Sequence, residues 1–573
     1  MIDTLLDKVG NWNPQLLREL KGRLTSKNMV ISAGIAALGQ ILLYLYFKSR
    51  FVEIGHRLGR RDRYCTGPGN YYDRLPLCIK NTKGIAEFNH SLWSLDFFIT
   101  LSIIGIIGLL VIGVYLLIDD LAREEKQGTL SFIRLSPQNS KNILLGKLLG
   151  VPVLVYLALL VILPLHFGLG LAAHIPAHLI LAFYAVVAVS CFLFYSAALL
   201  FALTGTGLGG LQAWLGSGLT LGFLLIMAIA CLKNQIPFGK SPLNWLVVFY
   251  PGYILPYLVS KTPHSLGLID YLNINDFARL TWFSRSLWSN PSTAFTFTFV
   301  NYGLGIYWLW YGLDRRFQNR SISPLSKGQS YWLSSSTMFV LIGFAVQHWG
   351  YGNYEQNLFD NFSVVLVLQL ILCGGLMAAL SPHRKTLQTW SRYRHQKSKK
   401  NLLWDLMWGE KSPATLAIAL NLFSTSTILL AAIFLTPLAQ YRLPLIMALL
   451  VSNGVILLYA SLAQWLLLQK NKQRVIFAIV AVVALLFIPS LATSVLRVTL
   501  SDLGILSIFS IVPVLFVRDS ATFMPLFSLV SQGLAIALIN FQMTRQLRQL
   551  GESDMKALLA DNYRSQEQLS GVS

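Results

Sequence analysis

The charged residues that could carry out chemistry gather in one short stretch of the chain. Four carboxylates fall within seven residues: Asp119, Asp120, Glu124 and Glu125. Such a set could ligate a metal ion. However, Arg123 and Lys126 lie beside the acids and can pair with them, and no second aspartate-rich loop is evident. We therefore predict no metal site and keep the carboxylate cluster as the alternative.

No segment has the pattern of a nucleotide site or a catalytic centre. The phosphate-binding loop G-x-x-x-x-G-K-[ST] is absent, and the Gly146-Lys147 pair is followed by Leu148 and lacks the upstream glycine. The cysteines show neither Cys-x-x-Cys nor the Cys/His spacing of metal sites. We predict no catalytic residue and no cofactor in this chain.

The charged stretch lies between two apolar runs, 97–118 and 143–167, each long enough to span a bilayer, which takes roughly 20 residues. Between the runs lies an amphipathic segment with an apolar stripe: Leu130, Phe132, Ile133 and Leu135. Gly128-Thr129 interrupts the chain before the stripe, and Ser136-Pro137 turns it afterwards. Ser140 can cap the helix that follows.

These features, in the order REEKQGTL, SP and ILLGKLLG, resemble the signature of type 2 ABC transporter permeases over about 30 residues. In that family a helix along the cytoplasmic membrane surface docks on a separate ATPase subunit. The resemblance implies an ATPase-coupling segment made by Glu124, Glu125, Lys126, Gly128, Thr129, Leu130, Phe132, Arg134, Ser136 and Pro137. The segment Asn13–Leu20 resembles the interfacial helix that often opens such permeases. A solvated connector is the alternative for the coupling segment, and a simple positive anchor for the opening helix.

A second segment contains the same types of residue, a glycine, two charged residues and a Ser-Pro pair, within five positions: Gly409, Glu410, Lys411, Ser412 and Pro413. It is either a second docking element or a helix start, with Ser412 as N-cap and Pro413 at the first helical position. If both segments dock, one chain is a pseudo-dimer that serves two copies of the ATPase; otherwise the chain forms a homodimer. ATP and Mg²⁺ would then bind the partner subunit.

Composition indicates a membrane protein. Of 573 residues, 54% are hydrophobic and 12% charged, against about 25% charged in soluble domains. The apolar runs are continuous rather than alternating, which predicts helices, because only helices and closed barrels satisfy the backbone in hydrocarbon. Most basic residues behind the net charge of +21 flank apolar runs, which predicts contact with anionic lipid and not with nucleic acid.

The pattern predicts an all-α polytopic membrane protein with about twelve transmembrane helices in two six-helix halves. The spans are about 29–47, 97–118, 143–167, 178–203, 211–232, 294–313, 332–349, 362–380, 415–436, 443–468, 475–496 and 523–541. The predicted domains are an interfacial helix (1–28), the first half (29–313), the second half (314–541) and a cytoplasmic tail (542–573). The main connecting segments are an outer loop (48–95), the coupling segment (119–142), an outer connector (233–292) and a basic cytoplasmic segment (381–414). Broken apolar pieces, 243–259 and 503–517, precede the sixth span of each half and are predicted to be re-entrant or interfacial.

Cys65 and Cys78 lie in the loop 48–95 around a Gly-Pro-Gly turn, which favours a disulfide on an oxidising, outer side. Two free thiols are the alternative. The loop is basic for an outer segment, but loops of this length are only weakly governed by the charge rule. Three histidines near another outer end are predicted to be interfacial: His166, His174 and His178.

The spans are mostly free of ionisable residues, which favours a lipid-like, glycolipid or other amphipathic substrate over an inorganic ion. The resemblance implies the permease subunit of an ATP-driven exporter in a bacterial plasma (inner) membrane, with both termini cytoplasmic. Two other classes stay open. One is an ion-coupled secondary transporter, which usually needs membrane-embedded acids. The other is a membrane glycosyltransferase or polysaccharide polymerase, which would act without ATP hydrolysis.

Overall fold

The chain folds into two compact units, Met1–Arg320 and Ser321–Ser573, in a computed structural model. The residues that this structure describes are 8–55, 62–68, 76–79, 87–205, 210–232, 241–263, 280–319, 322–346, 354–382, 384–396, 401–435, 439–471, 473–496 and 523–570. Each unit is almost entirely helical, as the continuous apolar runs predict.

Besides a helical stretch at residues 8–12, the first unit contains eleven helices among its described residues. They are α1 (Pro14–Arg23), α2 (Ser26–Gly55), α3 (His90–Lys126), α4 (Thr129–Leu135), α5 (Ser140–Gly150), α6 (Val153–Ala172), α7 (Ala177–Thr204), α8 (Leu211–Leu232), α9 (Asn244–Val248), α10 (Leu255–Ser260) and α11 (Pro291–Gln318). A small antiparallel hairpin, β1 (Thr281–Trp282) and β2 (Arg285–Ser286), pairs Thr281 with Ser286 just before α11.

The second unit contains eight helices among its described residues. They are α12 (Lys327–Ala345), α13 (Tyr354–Leu380), α14 (Arg384–Gln396), α15 (Leu402–Trp408), α16 (Thr415–Leu435), α17 (Arg442–Leu467), α18 (Arg474–Leu496) and α19 (Phe523–Ser570). Buried side chains of α12, α13, α16 and α17 form its main apolar core, with Met338, Val365, Ile433 and Val451 at its centre.

Within the described residues, nine helices are long and apolar enough to cross a membrane: α2, α3, α6, α7, α8, α13, α16, α17 and α19. The protein is therefore an all-α polytopic membrane protein. The predicted spans 294–313, 332–349 and 475–496 overlap with α11, α12 and α18, which are not among these nine; residues 347–349 lie outside the described residues. The predicted piece 503–517 lies outside the described residues.

Two predicted boundaries differ from the observed ones. The predicted domain boundary at 313/314 falls inside α11, because the charged residues Asp314-Arg315-Arg316 continue that helix to Gln318. The predicted tail from 542 continues α19, a single helix of 48 residues. Its Leu547 carbonyl accepts a hydrogen bond from Ser391 of α14, which ties the end of the last apolar helix to the basic segment.

The predicted third span, 143–167, is divided into α5 and α6. The break falls at Val151-Pro152, where proline has no amide hydrogen to donate to the α5 helix. The predicted broken piece 243–259 is a series of short helices, α9, a 3-10 turn (Pro251–Ile254) and α10, and most of its side chains are buried.

Candidate functional site

The predicted coupling segment begins in the last two turns of α3. With 37 residues and a rise of 1.5 Å per residue, α3 is about 55 Å long, whereas a hydrocarbon core is about 30 Å thick. Part of α3 therefore extends beyond an apolar layer of that thickness, and its last two turns carry most of its charged residues. Gly128 then adopts φ 75°, a conformation that glycine accepts without steric cost, and the chain re-enters a helix as α4.

The N-terminal helix α1 packs against α5 through the GKLLG sequence, in which Gly146 and Gly150 are four residues apart. Small residues at this spacing let two helices approach closely. A Cβ atom at Gly146 would lie 2.8 Å from the Leu16 backbone nitrogen, and one at Gly150 would lie 2.5 Å from the Glu19 Cβ atom. Asn13 caps α1 and also donates a 2.7 Å hydrogen bond to the Asn142 carbonyl.

This packing brings together six charged side chains of α1, α3 and α5, which we call the Lys147 cluster: Arg18, Glu19, Arg23, Asp120, Glu124 and Lys147. The Lys147 Nζ atom lies 2.7 Å from Asp120, 2.9 Å from Glu124 and 3.4 Å from Glu19. Arg18 pairs with Glu124 at 2.8 Å, and Arg23 pairs with Asp120 at 2.5 Å. The cluster holds three positive and three negative groups.

The balance of charge in the cluster explains how an amine can be fully buried. The Lys147 side chain has no solvent exposure. Burial lowers its pKa, but the carboxylates of Asp120, Glu19 and Glu124 outweigh burial and leave the pKa raised. Lys147 is therefore a permanently charged link between α5 and the two helices that supply its partners.

The three carboxylates of the cluster do not fit a metal site. Oxygen atoms of Glu19, Asp120 and Glu124 lie within 4.8 Å of one another, close enough to share one cation. The Lys147 ammonium already lies within 3.4 Å of all three. The predicted pairing of acids within the segment holds for Arg123 and Asp119, which are 2.5 Å apart.

The predicted apolar stripe is divided between the interior and the surface. Leu130 is 1% exposed and packs inward, whereas Phe132 is 77% and Leu135 is 83% exposed. Thr129 donates to the Glu124 carbonyl across the Gly128 turn at 3.2 Å. As a result, α4 is fixed to the protein at its first turn, and two of its apolar side chains, Phe132 and Leu135, are exposed.

The other predicted coupling residues differ widely in environment. Glu124 is buried in the Lys147 cluster, Glu125 is half-buried and Lys126 is exposed. The Arg134 guanidinium lies 5.5 Å from the centre of the Phe317 ring of α11. Ser136 donates to the Ile133 carbonyl at 2.7 Å and closes α4, and Pro137 is exposed. Asn139, not Ser140, caps α5, because Ser140 donates to Asp314 of α11.

The second predicted segment, 409–413, is a turn held from inside by a buried lysine. Lys327 Nζ donates to Ser412 Oγ at 2.6 Å, to the Leu406 carbonyl at 2.8 Å and to the Pro413 carbonyl at 3.0 Å. Ser412 is buried and α16 begins only at Thr415, so Ser412 is not the N-cap of that helix. Glu410 and Lys411 are exposed, and Gly409 is half-buried.

The exposed apolar residues near this turn lie on α15 rather than in the turn itself. Leu403 and Trp404 are each about two-thirds exposed. The inner side of α15 is held by Asp405, which accepts a 2.5 Å hydrogen bond from Trp390 of α14. The second unit thus also has a seven-residue helix with bare apolar side chains, placed before a turn and a membrane helix.

Sequence reasoning missed the residues that hold both short helices in place. A weak signal existed for each. Glu19 falls on the same helical face as Gln15 and Leu16 rather than on the charged flank. Lys147 stands in the last turn of α5 and Lys327 at the first residue of α12, each next to a glycine in an apolar stretch, where a charge without a partner would be costly.

The structure joins Cys65 and Cys78 in a disulfide, with 4.8 Å between their Cα atoms. The adjacent Tyr64 and Arg63 both contact Asp96 near the start of α3, at 3.0 Å and 2.7 Å, so the bridged segment is attached to that helix. No family model, no curated protein and no solved structure matches this chain.

Proposed function

We propose that this chain is the membrane-spanning subunit of an ATP-driven transporter, and that a separate ATPase subunit docks on α4. The observation that carries the proposal is the pair of exposed side chains, Phe132 and Leu135, on a short helix that is anchored to the helices beside it. Apolar anchors surrounded by polar groups are the usual core of a protein interface. Here Lys126 and Arg134 would supply rim contacts.

The Lys147 cluster gives the docking helix a route to the membrane helices. A displacement of α4 acts directly on α3 through Gly128 and on α5 through the short link 136–139. Because Lys147, Glu124 and Arg18 bind α5, α3 and α1 to one another, these helices would move as one body. A contiguous packed network of this kind can carry coupling between distant sites.

The finer features of the proposal come from the sequence. The chain would have twelve spans in two halves, both termini in the cytoplasm of a bacterial cell, and an amphipathic or lipid-like export substrate. If α15 also docks, one chain serves two ATPase copies, which bind ATP and Mg²⁺; otherwise two chains assemble.

Co-purification with designed variants tests the docking surface. Phe132→Asp combined with Leu135→Asp should abolish recovery of an ATPase with the tagged chain, because it places charge in an apolar contact. The matched variant, Phe132→Leu with Leu135→Met, keeps the apolar surface and should retain the ATPase. Glu124 is unsuitable for this test because its removal disrupts the Lys147 cluster.

The stoichiometry of the recovered complex distinguishes one chain from two per ATPase pair. Recovery of no ATPase with the folded wild-type chain would contradict the proposal and favour an ion-coupled carrier or a membrane glycosyltransferase. Equal recovery with the Asp and the Leu/Met variants would place the docking surface elsewhere.

A further inference from the structure

An apolar cavity of about 400 Å³ lies between α3, α6 and α7 of the first unit, with Leu148 and Leu149 of α5 at one end. It extends along α6 from Tyr156 to His166, which is about 15 Å at 1.5 Å per residue. Its size falls in the range of ligand sites. None of the described side chains lining it is charged, so the cavity does not suit an ion or a charged headgroup.

Two of the three tyrosines that line the cavity donate their hydroxyl protons to helix carbonyls. Tyr195 donates to the Leu109 carbonyl at 2.7 Å, and Tyr156 donates to the Leu148 carbonyl at 3.2 Å. The space between them is therefore lined by hydrocarbon and aromatic rings. Such a space does not hold water, and in a membrane the molecules available to fill it have alkyl chains.

One end of the cavity differs, because three polar side chains form a hydrogen-bonded chain there. Ser102 Oγ lies 2.7 Å from His166 Nε2, and His166 Nδ1 lies 2.8 Å from the Tyr184 hydroxyl. His166 is buried inside the first unit, and its predicted position at the membrane interface stays a prediction. With no acid among the lining residues, the apolar surroundings favour a neutral imidazole ring.

One arrangement of protons satisfies the Phe98 carbonyl and all three side chains. In it, the single Ser102 hydroxyl proton is donated to the Phe98 carbonyl at 2.7 Å, and Ser102 accepts from His166 Nε2–H. The neutral ring then accepts at Nδ1 from the Tyr184 hydroxyl. Tyr184 has thus used its only proton, and its oxygen offers lone pairs alone.

We propose that this cavity binds the alkyl chain of a neutral amphiphile that carries a hydroxyl or amide N–H group, which donates to the Tyr184 oxygen. A simple hydrocarbon would leave that oxygen without a donor, and an anion would meet an acceptor. This inference does not rest on the proposed ATPase partner, because it uses only the cavity of the first unit.

Photolabelling of the purified full-length chain in lipid nanodiscs tests the site. The probe is palmityl alcohol with a diazirine near the chain terminus, compared with the corresponding diazirine alkane. After irradiation, peptides are mapped by mass spectrometry. We expect the alcohol to label residues of α6 and α7 that line the cavity at least fivefold more than the alkane does.

Two glycines of α3 provide a matched pair of variants. Gly105 lines the cavity and Gly108 does not, and a Cβ atom meets no other atom within 4 Å at either position. Gly105→Leu should fill the cavity and reduce labelling at least fivefold, whereas Gly108→Leu should leave it unchanged. Tyr184→Phe should reduce labelling by the alcohol to the level seen with the alkane.

Equal labelling by alcohol and alkane in the wild-type chain would overturn the proposal, because it would show ordinary annular lipid. Labelling that persists in Gly105→Leu would overturn it as well. If Gly105→Leu does not fold, Tyr184→Phe still decides the question, since it removes one oxygen atom and leaves the packing volume of the site intact.

Discussion

The two units each bury a lysine beside a short exposed helix, but they neutralise it differently. Lys147 is surrounded by three carboxylates from α1 and α3, and its pKa is raised. Lys327 donates to two carbonyls and one hydroxyl; burial lowers its pKa to about 8, against a smaller opposing effect of Asp405. The first lysine is held as an ion in a charge-balanced group, whereas the second carries an incompletely compensated charge.

A buried lysine beside a short exposed helix is therefore needed as a charge in the first unit but not in the second. In the first unit, removing the ammonium would leave two buried acids and the half-buried Asp120 facing only two arginines. In the second unit, removing it would leave neutral oxygen atoms that other donors or water can satisfy. Loss of the Lys147 ammonium should therefore destabilise the first unit more than loss of the Lys327 ammonium destabilises the second.

The largest expected effect comes from Lys147→Met. Breaking a buried ion pair by removing one partner typically costs about 3–5 kcal/mol, so the variant should melt at a clearly lower temperature and release α1 to proteolysis. The measurement is thermal unfolding in detergent together with limited digestion. Lys126→Met, at an exposed position of the same segment, is the control and should change little. If Lys147→Met unfolds at the same temperature as the wild type, the cluster does not stabilise the unit.

The second prediction compares Gly146→Ala with Gly328→Ala, since each glycine is adjacent to its lysine. A Cβ atom at Gly146 meets the Leu16 backbone at 2.8 Å, whereas one at Gly328 meets the Trp408 ring edge at 2.7 Å. The Leu16 backbone cannot move aside unless α1 separates from α5. Gly146→Ala should therefore lower the free energy of unfolding by about 1–3 kcal/mol. The partly exposed indole can shift, so Gly328→Ala should cost much less. Hydrogen exchange of α1 and thermal melting check both, and equal costs would refute the distinction.

The third prediction uses pH. For Lys327 the folded pKa of about 8 lies below the ordinary value of 10.5, so unfolding takes up a proton between these values and stability rises with pH there. The full effect is on the order of 3 kcal/mol. Melting temperatures from pH 7 to 9.5 should therefore rise for the wild type relative to Lys327→Met.

The Lys147→Met variant provides the contrast over the same pH range. Because the folded pKa of Lys147 is raised, its contribution is present below about 10.4, the unfolded value, and is lost only at higher pH. The difference between wild type and Lys147→Met should stay flat from pH 7 to 9.5. Parallel pH profiles for the two lysine variants would contradict the comparison.

The smallest effect is expected for Arg123→Ala. Its partner Asp119 is one turn away on α3, and both side chains are solvent-exposed. Exposed pairs of this kind contribute roughly 0–1 kcal/mol, so the melting temperature should barely change. A loss comparable to that of Lys147→Met would show that the outer charges belong to the cluster.

Much of the fold was accessible from the sequence, because helix formation in a membrane depends on local composition. The apolar runs predicted the helices α7, α8, α16 and α17 closely. The break at Val151-Pro152 was not predicted, because the run 143–167 is apolar on both sides of it. The sequence predicted a short amphipathic segment where the structure has the helix α4, and its coupling role stays a prediction. The apolar stripe was assigned to one surface, whereas Leu130 is buried and Phe132 is exposed.

The sequence by itself determined the membrane class, the helices and the position of the charged hinge, since these follow from runs of neighbouring residues. Only the tertiary structure decided which charges neutralise one another. Glu124 looked like a surface contact beside Glu125 and Lys126, yet it pairs with Arg18, 106 residues earlier in the chain, and with Lys147. The reason is physical: helix periodicity places a side chain on a face, but the burial and partners of a charge depend on which distant helix covers that face.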